Sequence, residues 1–526
     1  DAVVAARGGG AHGPEPDGLD ERCKVGMEVV GKRRFHIHEN DTSIPIDQYG
    51  ATLRRSGAAI VPVALQPSIP QQGVRMDVPT RYAAITASTL ERHPAWARLT
   101  DDQRGAVRVV SRVLPFRVND YVLTALIDWD RVPEDPIFQL TFPQPGMLSV
   151  DQFAMVEHAL KARDKERLDG VVAGIRMELN PHPAGQRTLN VPMLDGEPVE
   201  GLQHKYPETV LYFPAAGQTC HAYCTFCFRW PQFVGDATLR FSSRNDDRLR
   251  AYLRAHPEVT DLLVTGGDPM VMGTAALERL IDPILEDPGL EHVSTIRFGT
   301  KSLAYWPARF TLDPDADGLL RLFDRIVASG RALSIQAHAS HPVELEPEIA
   351  REAIRRIRAT GATIRMQSPC IRHVNDDPTV WSTLWSTAVK LGCVPYYMFV
   401  ERDTGARRYF ELTLARCHEI FRSAYASVSG LSRTVRGPSM SATPGKVHVL
   451  GRQQAFGLDV FVLEYLQCRR PELVRKPFFA RFDPWATWFD QLRPATSADE
   501  PFFPQHWPGW SGTGGGVVPL TVGGTP

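Results

Sequence analysis

The 526-residue chain lacks any apolar run near the roughly 20 residues that a membrane-spanning helix needs, so no membrane protein is expected. It lacks an excess of charge. Its 59 Lys and Arg against 60 Asp and Glu leave a net charge of −1, which excludes bulk attraction to nucleic acid or an anionic membrane as its way of working. Short basic clusters such as Lys32-Arg33-Arg34 read as solvated surface. No internal repeat is present, and no basic start followed by an apolar stretch marks a secretory leader. Cysteine is scarce, at eight residues, and Cys23, Cys370, Cys393, Cys417 and Cys468 stand singly, as small buried hydrophobes do. These features together lead to an expected location in the reducing cytoplasm. What remains is ordinary for a globular protein: 43% hydrophobic, 23% charged, and long enough for two or three units or one large barrel with additions.

The other three cysteines fall in one stretch, TCHAYCTFCFRWPQF (219–233), spaced as Cys220-x3-Cys224-x2-Cys227 after an apolar run, VLYFP (210–214). Thiolates so placed can wrap one corner of an iron–sulfur cube and leave its fourth iron open to an outside ligand. The alternatives are a zinc site completed by His221 or a distant residue, and free buried thiols.

Residues 1–75 form an N-terminal extension that begins with RGGGAHGPEPDG, a composition expected to be disordered. Residues 76–204 read as a helical, Pro-rich arm laid over a core, with helical periodicity in DQRGAVRVVSRVLPF and NDYVLTALID and one more helix in VDQFAMVEHALKARD. From 205 to 400 six apolar runs alternate with amphipathic stretches: VLYF, DLLVTGG, STIRFGT, LSIQAH, TIRMQS and VPYYMFV. That alternation predicts an α/β fold with a parallel sheet, either doubly wound or a partial barrel. Asp268, Thr300, His338, Gln367 and Glu401 sit at the ends of these runs, where parallel α/β folds place their sites. Beyond 400, GARRYFELTLARCHEIFRSAYAS reads as one helix and GLSRTVRGPSMSATPGKVHVLG as loop, with Lys446 after a Pro-Gly turn. Residues 456–526 read as a tail rich in aromatics and Pro.

The Cys loop, with Phe226 before its third cysteine, resembles that of the radical S-adenosylmethionine (SAM) superfamily. TGGDP (265–269) resembles its glycine-rich SAM-binding motif. HKYPETVLYF (204–213), RFGTK (297–301), HASHP (338–342), QSPCIRHVNDDP (367–378) and PYYMF (395–399) are similar to the lysine 2,3-aminomutase family over roughly residues 90–450, and LPFRVNDYVLTALID is similar to its helical arm.

This resemblance implies a partial (β/α)6-type parallel barrel with an N-terminal helical arm and a C-terminal extension. It implies a [4Fe-4S] cluster held by Cys220, Cys224 and Cys227, whose open iron is chelated by SAM, which is then cleaved to a 5′-deoxyadenosyl radical. Gly266, Gly267, Asp268, His338 and Gln367 fall at positions of SAM contact, with Asp268 accepting from the SAM ammonium and Phe226 flanking the adenine. It further implies pyridoxal phosphate (PLP), with Lys446 as its lysine, Lys205 and Tyr206 near its phosphate, and residues 401–455 as the PLP and substrate segment. Arg229 matches the arginine that grips the substrate carboxylate. An electron donor such as flavodoxin or ferredoxin is implied, and a homo-oligomer is compatible with the resemblance. The cysteine cluster that binds structural zinc in some members is absent.

Three departures bear on the reaction. PSMSATPGK replaces a glycine run before the lysine, and Thr209 stands where an arginine is usual. Arg402 and Arg436 stand near the positions where lysine-specific members carry aspartates, with Glu401 and Asp403 flanking the first. Arginines there disfavour a cationic side chain and suit an anionic one, so the expected substrate is a small amino acid other than lysine. The alternatives are a PLP-independent radical SAM enzyme and a non-catalytic iron–sulfur or zinc protein.

Overall fold

The computed structural model describes residues 81–181, 189–236 and 239–507. The Gly/Pro-rich start and the last residues of the tail lie outside the described residues.

A small hairpin, β1 (Met193–Leu194) with β2 (Glu197–Pro198), leads into one 11-stranded sheet. Its strands are β3 (Leu202–Tyr206), β4 (Thr209–Tyr212), β5 (Asp261–Val264), β6 (Thr295–Thr300), β7 (Ala332–His338), β8 (Thr363–Cys370), β9 (Val394–Val400), β10 (Arg436–Ser441), β11 (Gly445–Ala455), β12 (Leu458–Cys468) and β13 (Pro477–Arg481). They lie side by side in chain order. β4 to β10 run parallel, while β3 at one end and β11 to β13 at the other pair antiparallel. The six expected strands are therefore β4 to β9. Their sequential order contains no reversal point, which sets aside the doubly wound alternative.

Period-two alternation explains the sheet. In β6, Ile296 and Phe298 join the apolar layer under the helices, so Arg297 and Gly299 turn to the opposite face. The covering helices are amphipathic: in Glu348–Ala359 the buried residues are Ala350, Ala353, Ile354 and Ile357, one stripe at helical spacing. Burying each such isoleucine contributes about 1.5–3 kcal/mol.

The arm contains the helix Asp101–Val113, closed by a Thr100–Gln103 capping box, and Val150–Ala162. A further helix, Lys165–Leu179, was hidden in the sequence because it carries two glycines and buries only Val172 and Ile175. The stretch after 400 is two helices, Arg407–Phe410 and Leu414–Ala426, since Thr413 caps a fresh start.

The expected loop around Lys446 is instead a hairpin, β10–β11, with Ser441 opposite Lys446. The Pro-Gly pair supplies its turn, and β9 offers an open parallel edge for β10 to join. The tail also enters the sheet, as β12 and β13, and builds its own core around Phe461, Tyr465, Phe478 and Phe489. Residues on either side of 455 thus belong to one β11–β12 ladder.

Candidate active site

The Cys loop leaves β4 at the end of the parallel strands and is held chiefly by the arm. Tyr223 donates its backbone N–H to Arg117 O (2.9 Å) and Thr225 donates to Leu140 O (2.9 Å). The Asn119 amide reaches both His221 O (3.2 Å) and Tyr305 O (3.0 Å), and Tyr82 Oη donates to His221 O (3.0 Å). The Arg117 guanidinium donates to Thr219 Oγ1 and Cys220 O and lies over the Tyr223 ring. Buried carbonyls of an irregular loop need such partners.

The three thiols are partly accessible, yet enough protein surrounds them to desolvate them. Burial pushes Cys224 up to about 12 against the pull of Lys301, and burial likewise raises Cys220 and Cys227. Their charges act on one another, yet among the described residues no three His, Cys, Asp or Glu side chains have the arrangement for a single metal ion. His221 gives its Nδ1 to Ser302 Oγ (2.8 Å). A zinc site draws its thiolates to about 2.3 Å from one point. Three thiols near enough for their charges to act on one another suit a cube, whose thiolates sit on separate irons.

The glycine turn after β5 meets this loop. Gly266 has φ +148°, and a Cβ there would lie 2.2 Å from Gln218 Nε2, while a Cβ on Gly267 would lie 2.4 Å from Thr219 O. The neighbour that demands glycine is therefore the Cys loop itself. Asp268, 1% exposed, accepts from Thr300 Oγ1, Lys301 N, Ser302 Oγ and Met270 N at 2.7–2.9 Å. Both of its oxygens are engaged within the chain, so it braces the turn. The free acceptor at this turn is Gln218 Oε1, which has no hydrogen-bond partner. That orphan, beside a glycine backbone, fits the ammonium of SAM.

His338 and Gln367 meet across β7 and β8, Nε2 to Nε2 at 3.1 Å. Burial, with Lys301 nearby, lowers His338 to about 3, so its imidazole is neutral. Lys301 is paired with the buried Glu344 and lies 4.5 Å from the Tyr305 ring centroid. Phe226 packs toward Phe410 and the arm's apolar cluster.

Arg229 is the most informative side chain. Its guanidinium lies 4.2 Å from the Phe213 ring centroid, and its Nε and Nη2 have no hydrogen-bond partner. Burial lowers its pKa to about 10, opposed by Cys227 and Cys220. An unpaired fork in a desolvated setting suits a bidentate carboxylate.

A second group gathers at the β10–β11 hairpin. Lys446 Nζ lies 4.2 Å from the Tyr397 ring centroid; burial, then Arg297 and Arg436, lowers its pKa to about 7. Lys205 donates to Ala442 O and lies 5.3 Å from the Tyr206 ring centroid. Burial holds it well below the ordinary lysine value, and the foremost charges acting on it are Arg469, Arg402 and Lys446. Lys205, Arg469 and Lys446 crowded together suit a phosphate, and an amine whose charged form is disfavoured suits a carbonyl-binding lysine. Thr209 is turned to Asp261, donating at 3.1 Å.

Arg402 links the two groups: its guanidinium lies 5.3 Å from the Phe228 ring centroid in the Cys loop and acts on Lys205, and its Nε is unpartnered. Arg436 is exposed and donates to Tyr397 Oη (3.2 Å). Glu401 is buried with both oxygens unpartnered, and burial, then Glu411, raises its pKa well above the carboxylate range. Arg117, Gln218, Lys301 and Arg469 went unremarked in the sequence, since each matters only through segments distant in the chain. A surface groove lined by Arg244, Asp246, Arg248 and Arg279 shares none of these residues.

A cysteine triplet on the loop after the first of a run of sequential parallel strands, meeting a glycine turn after the second, is the cluster loop of a radical SAM protein. An Aquifex aeolicus (strain VF5) protein provisionally named L-lysine 2,3-aminomutase is 31% identical over 399 residues, covering 74% of this chain and 91% of that relative. The chain belongs to the lysine 2,3-aminomutase family of radical SAM enzymes. The L-lysine 2,3-aminomutase of Clostridium subterminale is 28% identical over 233 residues, 44% of this chain and 52% of that enzyme. Among solved structures, Streptococcus suis SuiB bound to precursor peptide SuiA matches with 12% identity and a TM-score of 0.29 over 49% of each chain, too slight a likeness to argue from. No family model matches the chain. Among the described residues no helix is long and apolar enough to cross a membrane.

Proposed function

We propose that the protein is an isomerase, a PLP-assisted radical SAM 2,3-aminomutase of a small amino acid other than lysine, with an anionic side chain favoured. The unpartnered Arg229 fork, two residues beyond Cys227, carries this reading: a substrate carboxylate held there lies beside the cluster loop. The strand order supports a sheet curled as a partial barrel around that point.

When bound, the cluster and SAM supply a hydrogen-abstracting radical at Cys220, Cys224 and Cys227, and PLP at Lys446 holds the migrating nitrogen. The chain's own residues do the rest. Arg229 fixes the carboxylate, and so the carbon presented for abstraction. Gln218, with the Gly266–Gly267 backbone and the His338–Gln367 pair, lines the SAM side, while Asp268 keeps the turn in place. Lys205 and Tyr206 flank the PLP phosphate. Arg402 and Arg436 make the distal end of the site cationic, and Glu401, favoured neutral by burial, supplies no counter-charge for a lysine ammonium. A reducing cytoplasm, a flavodoxin or ferredoxin as electron donor, and self-association belong to this reading.

The test is anaerobic reconstitution followed by a panel of amino acids. The expected results are SAM cleavage to 5′-deoxyadenosine, a PLP absorption band that disappears in Lys446→Ala, and a β-amino product from an acidic amino acid. No PLP band in the reconstituted protein would overturn the aminomutase reading, and conversion of L-lysine to β-lysine would overturn the substrate reading.

A further inference from the structure

The turn before Lys446 presents three consecutive carbonyls, and all three are held. Lys205 Nζ takes Ala442 O, Arg469 Nε takes Thr443 O (3.0 Å), and the Arg469 backbone N–H takes Pro444 O (3.0 Å). Gly445 follows, where an added Cβ would lie 2.3 Å from Gln467 O, so the turn is pressed against the end of β12. Arg469 is the residue after β12, and its Nη2 is tied to Asn190 Oδ1. Asn190 O in turn accepts from His204 N (2.8 Å), beside Lys205. The guanidinium is thus fixed from two sides, leaving Nη1 without a hydrogen bond among the described residues. Its charge acts on Lys205, Tyr206 acts on it in turn, and no carboxylate stands among the foremost charges acting on it or on Lys205.

Lys205, whose charged form burial and the neighbouring Arg469 disfavour, and the fixed Arg469 guanidinium sit on adjacent carbonyls, and an oxyanion bound to both would favour the charged form of each. We propose that Arg469, reaching back from the C-terminal end of β12, is a phosphate-binding residue that with Lys205 holds the cofactor's phosphate beside Lys446. The inference rests on the PLP reading above and adds a residue from the chain's C-terminal part to that site. A brace for the hairpin needs only hydrogen-bond donors; a phosphate-binding residue needs the charge as well. That difference makes the two roles separable.

The experiment compares PLP with pyridoxal, which has the same aldehyde and ring without the phosphate, titrated by absorption into the full-length, cluster-reconstituted protein. Arg469→Gln keeps a donor for Thr443 O and removes the charge together with the Asn190 contact, whose separate loss Asn190→Ala measures. It is expected to raise the Kd for PLP about tenfold or more while shifting that for pyridoxal less than about twofold. Arg469→Lys is expected to recover part of the loss. Asn190→Ala, which removes a structural partner and leaves the charge, is expected to move both Kd values together. Equal weakening of PLP and pyridoxal in Arg469→Gln would show a hairpin brace and overturn the inference with the PLP reading intact. Failure of the wild-type protein to bind either compound would overturn the PLP reading and this inference with it.

Discussion

At the scale of single residues, Arg229 and Lys446 are placed in uncomfortable states that a ligand would relieve. Arg229 has two unpartnered donors. Arg229→Lys keeps the charge and loses the fork, so KM for the amino acid is expected to rise about tenfold or more with iron content unchanged. Steady-state kinetics with iron analysis checks this. Lys446 has a folded pKa of about 7 against 10.5 for the free side chain. Between those values the unfolded chain binds the extra proton, so the stability of the cofactor-free protein rises with pH across that window. The cost of Lys446 is complete below 7 and gone above 10.5. Lys446→Met is therefore expected to raise the thermal midpoint of cofactor-free protein most at or below pH 7, with the gain fading toward pH 10, as melting curves at several pH values would show. The cysteine spacing and the place of Arg229 beside it can be read from the sequence because both are local. Gln218 and Arg469 cannot, because an orphaned acceptor or a cation on a remote carbonyl has no sequence signature.

At the scale of elements, the site is assembled by turns that lock into one another. Asp268 ties the turn after β5 to the end of β6 through Thr300, Lys301 and Ser302. Asp268→Asn sets an amide N–H₂ against those donors and leaves at least one unsatisfied. It is expected to cost about 2–3 kcal/mol, read from urea unfolding, and to lower iron incorporation because the loosened turn is the one whose Asp268 N holds Gly217 O (3.0 Å) ahead of the Cys loop. Gly267→Ala is expected to reduce cluster loading more than global stability, since its Cβ would press on Thr219 and displace the loop; iron content against melting temperature separates the two. The hairpin β10–β11 shows where sequence reading stopped short. Gly, Pro and Ser in RGPSMSATPGK read as loop, yet β9 has an open edge and β12 a long apolar face. Pairing with both outweighs weak local β-propensity.

At the scale of the whole molecule, the arm, the parallel strands and the C-terminal strands each supply one side of the site. Asn119→Ala removes the amide that joins His221 O to Tyr305 O, a contact between the arm, the Cys loop and the short helix Ser302–Tyr305 after β6. It is expected to lower iron occupancy and to speed hydrogen exchange across the Cys loop while the sheet stays protected. The sequence by itself determined the cluster loop, the six parallel strands and the family, because these rest on local spacing and on an alternation in which every strand reports its own buried face. Only the tertiary structure decided that Asp268 is spent on its own turn, that the glycines serve the Cys loop, and that the aromatic tail returns as strands to set Arg469 beside Lys205. Those outcomes depend on which distant polar atoms end up within hydrogen-bond reach, and burial, not residue type, then settles which of them are left wanting a ligand.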